Sequence, residues 1–324
     1  MRTGYVSLIV PCYNVAATLQ RFIDSVVEQT YPYVQVIAVN DGSTDETAEI
    51  LKNNAKTFQN RNIVFTYVYQ KNAGLGAAIN AGLKHIEGEF LCWADPDDFF
   101  MPESIEKRVK ELRSHPECGV VTSDAYFFQS DDLKRPVGKV SDGVEHSKDA
   151  AQFEHLLKEQ SIFCTGCHMV RMDAFDAVNP SHEIYPARRG QNWQLLLPLY
   201  YKYSRVFLPE PLYGYVIYPN SMSRGDTSEE RVMFRWDEHE TILRETLLRM
   251  QMTAADRDKY LKYVHVRYVK KRFYSSIDFR DSHRMREQYQ LLCDLHEDSD
   301  DIRELYRRNR NLLCKLIGKV KDVF

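Results

Sequence analysis

The segment Val34-Gln35-Val36-Ile37-Ala38-Val39-Asn40-Asp41-Gly42-Ser43-Thr44-Asp45 decides the fold. It begins as a nearly continuous apolar run, the pattern of a strand buried on both faces of a parallel sheet. It ends in an acidic turn. Thr44 and Asp45 there are placed to cap a following helix with Ala48, Leu51, Ala55 and Phe58 on one face. Upstream, Val6-Ser7-Leu8-Ile9-Val10-Pro11 is a similar run. Leu19, Phe22, Ile23, Val26 and Val27 follow it at i, i+3, i+4, i+7 and i+8, one apolar helix face. Downstream come a strand over 63–69, a small-residue helix over 74–86 and a strand over 90–94. Repeated β-α-β units predict an α/β chain, with a mainly parallel sheet flanked by helices.

Three polar clusters close the predicted strands: Pro11-Cys12-Tyr13-Asn14, Asn40-Asp41-Gly42-Ser43-Thr44-Asp45 and Asp95-Pro96-Asp97-Asp98. Parallel strands deliver their ends to one rim, where ligands of such sheets bind. Carboxylates gathered there repel one another unless a positive partner intervenes. A Mg or Mn ion shared with a diphosphate meets that need, because such ions take one or two carboxylates plus phosphate oxygens.

These segments, VSLIVPCYN (6–14), VNDGSTDET (39–47), KNAGLGAAINAGL (71–83) and ADPDD (94–98), resemble glycosyltransferase family 2, whose fold is GT-A. The resemblance is specific over roughly residues 5 to 100 and thins beyond. It implies a nucleotide-diphosphate sugar as donor, with a UDP-sugar the favoured type, a saccharide or lipid-linked acceptor, and an inverting transfer. Pro11 and Tyr13 would then line the base, with Asn14 beside them, and Asp41 would accept a hydrogen bond from a base N–H. Asp95 and Asp97 would form the metal motif, Asp95 also lying near the ribose, with Asp98 behind them. Lys71 and the Gly74-Leu75-Gly76 turn would lie near the donor, where glycine admits a close backbone approach.

Two departures matter. Ile79 stands where many relatives carry Arg, so Lys71 or Arg224 is the expected cation for the diphosphate. The family's Glu-Asp pair, whose Asp is the general base, is here Gln191-Asn192, and an amide takes no proton at neutral pH. Asn192 is still expected to face the acceptor side of the cleft. Glu183, His182 and His168 are the nearby titratable candidates for the base.

The remaining features bound the reading. The 324 residues are 44% hydrophobic and 27% charged with a formal net charge of -3, an ordinary globular balance that argues against nucleic-acid binding. Seven Cys with no regular spacing are no disulfide framework, and the lone Cys164-x-x-Cys167 is read as core packing. The start Met1-Arg2-Thr3-Gly4-Tyr5 has no signal-peptide pattern and no run of eighteen apolar residues occurs, so the expectation is a cytoplasmic chain. We divide it into a nucleotide-sugar half (1–103), an acceptor half (104–228) and a helical appendage (229–324). Within the appendage, Arg257 to Arg286 holds ten Lys or Arg against three acids, with tyrosines interleaved. A solvated helix face, peripheral contact with the inner face of a membrane, and a homodimer contact are the readings of that stretch.

Competing functions explain less. A dinucleotide site wants G-x-G-x-x-G after the first strand, and a sugar nucleotidyltransferase wants a Gly-rich loop with Arg there. A non-catalytic nucleotide-sugar binder is the alternative that Gln191-Asn192 keeps open.

Overall fold

A computed structural model describes residues 1–219 and 225–310. The chain forms two compact units, Met1–Pro219 and Asn220–Phe324.

In the first unit β1 (Arg2–Cys12) leads to α1 (Ala16–Val27), and β2 (Val34–Asp41) to α2 (Thr47–Asn53) and α3 (Ala55–Asn60). Then β3 (Val64–Gln70) leads to α4 (Leu75–Leu83) and β4 (Gly88–Trp93). The four strands are parallel in the order β3-β2-β1-β4. Every residue of β2 is buried, as its apolar run requires. On α1 the predicted face holds, with Leu19, Phe22, Ile23 and Val26 buried. Register sets the rim. Cys12 pairs Asn40 and Asp41 pairs Gln70, so β1, β2 and β3 end level. Trp93 pairs Ile9, and Asp95 follows two residues later.

The helix after β2 differs from expectation. It breaks at Asn54, whose side chain bonds to the Ile50 carbonyl and to Gln20. The break turns Ala55 outward and buries Asn54 in its place.

The sheet continues as a mixed one. After β5 (Phe99–Phe100) and α5 (Ser104–Ser114), β6 (Cys118–Gln129) is one long strand. The short β7 (Gly138–Lys139) pairs with β6. Next come α6 (Phe153–Leu157), β8 (His168–Arg171), α7 (Met172–Val178), α8 (Gln191–Lys202) and β9 (Ser204–Ile217). Among the described residues, β8 runs antiparallel to β4 and β6, β9 parallel to β6, and β5 antiparallel to β9. Cys164 and Cys167 are buried in the main apolar core.

The second unit contains α9 (Glu229–Arg249), α10 (Ala254–Asp278), α11 (Ser282–Asp294) and α12 (Asp300–Asn309). Ser228, Thr253 and Asp281 cap the first three by accepting from backbone N–H groups. Val269, Phe273, Met285, Leu292 and Ile302 form a core of this unit. Among the described residues no helix is long and apolar enough to cross a membrane.

Candidate active site

The loops after β1, β2 and β3 are laced together. Asn14 Oδ1 accepts from Thr44 N at 2.8 Å, and Asn14 N donates to Ser43 Oγ at 3.0 Å. Gly42 has φ +72°, and a Cβ there would stand 2.6 Å from Asn72 N, so only glycine fits. The Asp41 carboxylate accepts from Gln70 Nε2 at 2.7 Å and from the backbone N–H of Ala73 and Gly74, both at 2.9 Å. It is 3% exposed, so its first role is to anchor the loop leading into α4. Tyr13 is 51% exposed above this rim, and Pro11 lies in register with Val39.

The acidic turn after β4 is the electrostatic centre. Asp95 Oδ2 accepts from Thr165 Oγ1 at 2.8 Å. Burial, and then the charge of Asp97, push the Asp95 carboxyl up to about 6. Burial also raises Asp97, opposed by nearby Arg21. Arg21 donates from Nη2 to the Asp97 carbonyl and to Tyr218 OH. Asp98 is 2% exposed and accepts from Val216 N at 2.8 Å, tying the turn to β9. Burial, with Asp97 and Asp95, raises its carboxyl well above the usual range. Asp98 is thus committed to the backbone, while Asp95 and Asp97 retain acceptor capacity. Two hard oxygen donors in an acid-crowded, buried turn suit a divalent cation.

A segment before α8 roofs the start of α4. Asn80 exchanges two 2.8 Å bonds with the backbone of Ile184. Gln194 does the same for Tyr185, at 2.6 and 3.0 Å. Gly76 N donates to Ala187 O at 2.8 Å, and a Cβ on Gly76 would meet that segment at 2.8 Å. The glycine expected to admit a ligand thus admits the chain itself. These clamps set Arg188 beside Gly74, its Cγ 3.3 Å from where a Gly74 Cβ would be. Ile79 is fully buried. Lys71 is exposed just past the end of β3. Arg224 lies outside the described residues.

The expected base candidates fare differently. Asn192 does not open onto a cleft: it is 4% exposed, its Oδ1 accepts from Trp93 Nε1 at 2.7 Å, and its Nδ2 donates to Phe163 O at 2.6 Å. His168 is fully buried, stacked on Trp93 and bonded to Thr122 Oγ1 at 3.1 Å. Burial, with Arg205 and Arg108 nearby, pushes it down to about 3, and the ring has no exposed surface. His182 is paired with Asp176 at 2.6 Å. Glu183 is exposed, one residue before the clamped segment.

Elsewhere, His146 Nδ1 and His155 Nε2 approach one Asp149 oxygen at 3.0 and 3.2 Å. Their rings stack with centroids 3.9 Å apart and planes 16° from parallel. The group is a carboxylate-bridged histidine pair whose ligand atoms lie within 4.8 Å of one another.

Sequence reading missed Arg21, Asn80, Arg188 and Gln194. The signals present were polar residues within otherwise apolar or small-residue stretches (Asn80 in Ala78-Ile79-Asn80-Ala81-Gly82) and the Arg188-Arg189 pair before Gly190.

Comparison with known proteins agrees with this geometry. The chain is 28% identical over 233 residues to glycosyltransferase GlyA of Streptococcus pneumoniae serotype 4, a match covering 68% of this chain and 31% of that one. It is 36% identical over 121 residues to an uncharacterized glycosyltransferase, RP339, of Rickettsia prowazekii, covering 37% and 36%. These matches span about a third of the length of each relative. With the uncharacterized glycosyltransferase EpsJ of Bacillus subtilis the identity is 28%, covering 67% of this chain and 62% of EpsJ. Among solved structures, Staphylococcus aureus TarS 1-349 in complex with UDP-GlcNAc superposes with a TM-score of 0.63 at 17% identity, covering 96% of this chain and 92% of that one. The mannosyltransferase PcManGT of Pyrobaculum calidifontis, in complex with GDP-Man and Mn2+, gives 0.56 at 17% identity, covering 98% and 87%. The mixed sheet with flanking helices is therefore the GT-A fold. The model of Glycosyl transferase family 2 matches residues 7–178, more than half of the sequence, and the chain belongs to that family.

Proposed function

We propose that this protein transfers a sugar from a nucleotide-diphosphate donor, with UDP-sugars the first candidates, to a saccharide or lipid-linked acceptor with inversion at the anomeric carbon. The observation that carries this reading is the pair Asp95 and Asp97, both raised by burial and both retaining acceptor capacity, on the rim where Asp41 fixes the loop into α4. A bound Mg or Mn ion would relieve the mutual repulsion of the two carboxylates and supply charge for the donor diphosphate. Tyr13 and Pro11 offer a surface for the base, and Asn14 keeps their loop joined to the Asp41 turn.

Arg188, beside Gly74, supports a second cation for the diphosphate in place of the arginine that Ile79 replaces. Lys71 is the other described candidate. Asn192 holds the acidic turn from beneath through Trp93 and takes no proton, so deprotonating the acceptor hydroxyl falls to another group.

The test is release of free UDP or GDP from a panel of nucleotide sugars, with Mn present and with candidate saccharide acceptors. Acceptor-stimulated release with glycoside formation supports transfer. Tight donor binding without any turnover supports the alternative, a nucleotide-sugar-binding protein.

A further inference from the structure

We propose that the C-terminal unit carries a second binding site, a basic groove along one face of α10 that takes a linear polyanionic saccharide. Lys259, Lys262, Arg267, Lys270 and Lys271 line a cavity of about 520 Å3 together with Tyr263, Val266, Tyr274 and Glu297. The α10 positions among them fall at i, i+3, i+4, i+7, i+8, i+11, i+12 and i+15, so they share one helix face. At 1.5 Å per residue that face is about 22 Å long. It offers an extended row of cations rather than a point site.

Asp237 and Glu240 of α9 engage Arg272, at 2.9 and 2.7 Å, and Glu240 also meets His265 at 2.7 Å. Neither Arg272 nor His265 lines the groove. Among the described residues Glu297 is the one acid that does, and it meets Lys270 at 2.7 Å. Five Lys or Arg thus line the groove against one acid, although the chain as a whole is slightly acidic. Its cations are also steadied by aromatic neighbours. Lys271 Nζ sits 4.4 Å from the Trp236 ring centre, Lys259 Nζ 4.6 Å from that of Tyr260, and Arg267 Nη1 donates to Tyr263 OH at 3.2 Å. Side chains held in this way lose less entropy on binding a partner.

The occupant follows from shape and chemistry. A helix that lies on a bilayer inserts an apolar face, whereas the aliphatic residue here, Val266, is 7% exposed within a concavity. A flexible chain can enter such a groove; a membrane surface cannot. Phosphates or carboxylates spaced along a chain match a row of cations, and Tyr274, 44% exposed, offers a rigid amphipathic ring for a sugar face. That the chain is a saccharide acceptor rests on the transferase reading; the binding site itself does not.

The experiment measures binding of the intact protein to oligogalacturonate of about five residues, chosen to match the length of the helix face. Neutral dextran of similar length, phosphatidylglycerol vesicles and a single-stranded oligoribonucleotide serve as comparison ligands. Oligogalacturonate is expected to bind at low salt and to weaken by about tenfold or more when salt is raised fourfold, as polyelectrolyte contacts do. Dextran should not bind. Lys262→Glu with Arg267→Glu should abolish binding while UDP affinity stays unchanged, and Lys110→Glu, on α5, should leave both as they are. If the reversed charges impair folding, Lys262→Gln with Arg267→Gln should weaken binding by about a hundredfold or more, the scale of two lost charge contacts. Absence of binding, equal loss in Lys110→Glu, or preference for vesicles or RNA over oligogalacturonate would overturn the assignment. Donor binding and turnover are measured separately, so the transferase reading can fail without this one failing.

Discussion

Asn192 Oδ1 accepts a 2.7 Å hydrogen bond from the indole Nε1 of Trp93, which precedes Asp95 by two residues. The place where the sequence comparison expects a general base thus holds a clamp beneath the acidic turn. The amide's other end donates to Phe163 O, so both of its polar groups serve the interior.

An aspartate at 192 would keep the acceptor for Trp93 but set a carboxylate against the Phe163 carbonyl. Asn192→Asp should therefore cost about 1–3 kcal/mol at neutral pH, the scale of a buried polar group left unsatisfied. The sign with pH is definite. Burial and the facing carbonyl would raise the folded-state pKa above the unfolded value of about 3.9. The folded form would then bind the proton more tightly, and the penalty would shrink as pH falls through that window. Thermal unfolding of wild type and variant between neutral and acid pH checks this; a deficit that grows on acidification would contradict it.

Asp41 holds two backbone N–H groups and Gln70 Nε2 with its carboxylate. In Asp41→Asn one oxygen becomes an NH2 facing donors. Charge-assisted bonds contribute about 1.5–3 kcal/mol each, so the loop into α4 should loosen and UDP affinity fall by about tenfold or more. Calorimetric titration with UDP, alongside hydrogen exchange at Ala73 and Gly74, separates a loosened loop from global unfolding.

His168 makes acid a stress on the fold. Its folded pKa is pushed down to about 3 from the ordinary histidine value of 6.5, chiefly by burial. The unfolded chain therefore binds the proton more readily in between, and stability is lost as pH falls through that range. His168→Gln, which keeps a polar group near Thr122 without a titrating ring, should flatten this part of the pH–stability curve. A slope identical to wild type would show that other groups govern it.

Arg188 stands beside Gly74 on the segment clamped by Asn80 and Gln194. If its guanidinium meets the donor diphosphate, Arg188→Ala should weaken UDP by about tenfold, the scale of one charge-assisted contact, and leave uridine unchanged. Equal weakening of both ligands would place Arg188 against the base or ribose instead.

The first hundred residues were legible because β1, β2 and β4 are apolar runs largely buried in the sheet and α1 shows one apolar stripe. Leu19, Phe22, Ile23 and Val26 announce α1, and the acidic turns mark the strand ends. Legibility fails where a polar residue is buried with its partners. Asp124 interrupts the apolar pattern of β6, yet it is 2% exposed and accepts from Ser141 N, Ser141 Oγ and Ala125 N. Asn54 breaks the helix after β2 for a related reason. The site divides along the same line. Asp41, Asp95 and Asp97 follow their own strands, so local sequence locates them. Arg21 and Arg188 reach the rim through packing between distant segments, and the resemblance of Gln191-Asn192 to a catalytic pair concealed a bond to Trp93 that only the folded chain reveals.

The central claim, a cation held by Asp95 and Asp97 for a nucleotide diphosphate, is tested most directly by UDP titration with and without Mn in wild type and in Asp97→Asn. A metal-bridged diphosphate site predicts that Mn tightens UDP binding to wild type by about tenfold or more, one charged contact's worth. It also predicts that the variant, although folded, shows no such gain. Equal Mn enhancement in both proteins, or none in wild type, would contradict it.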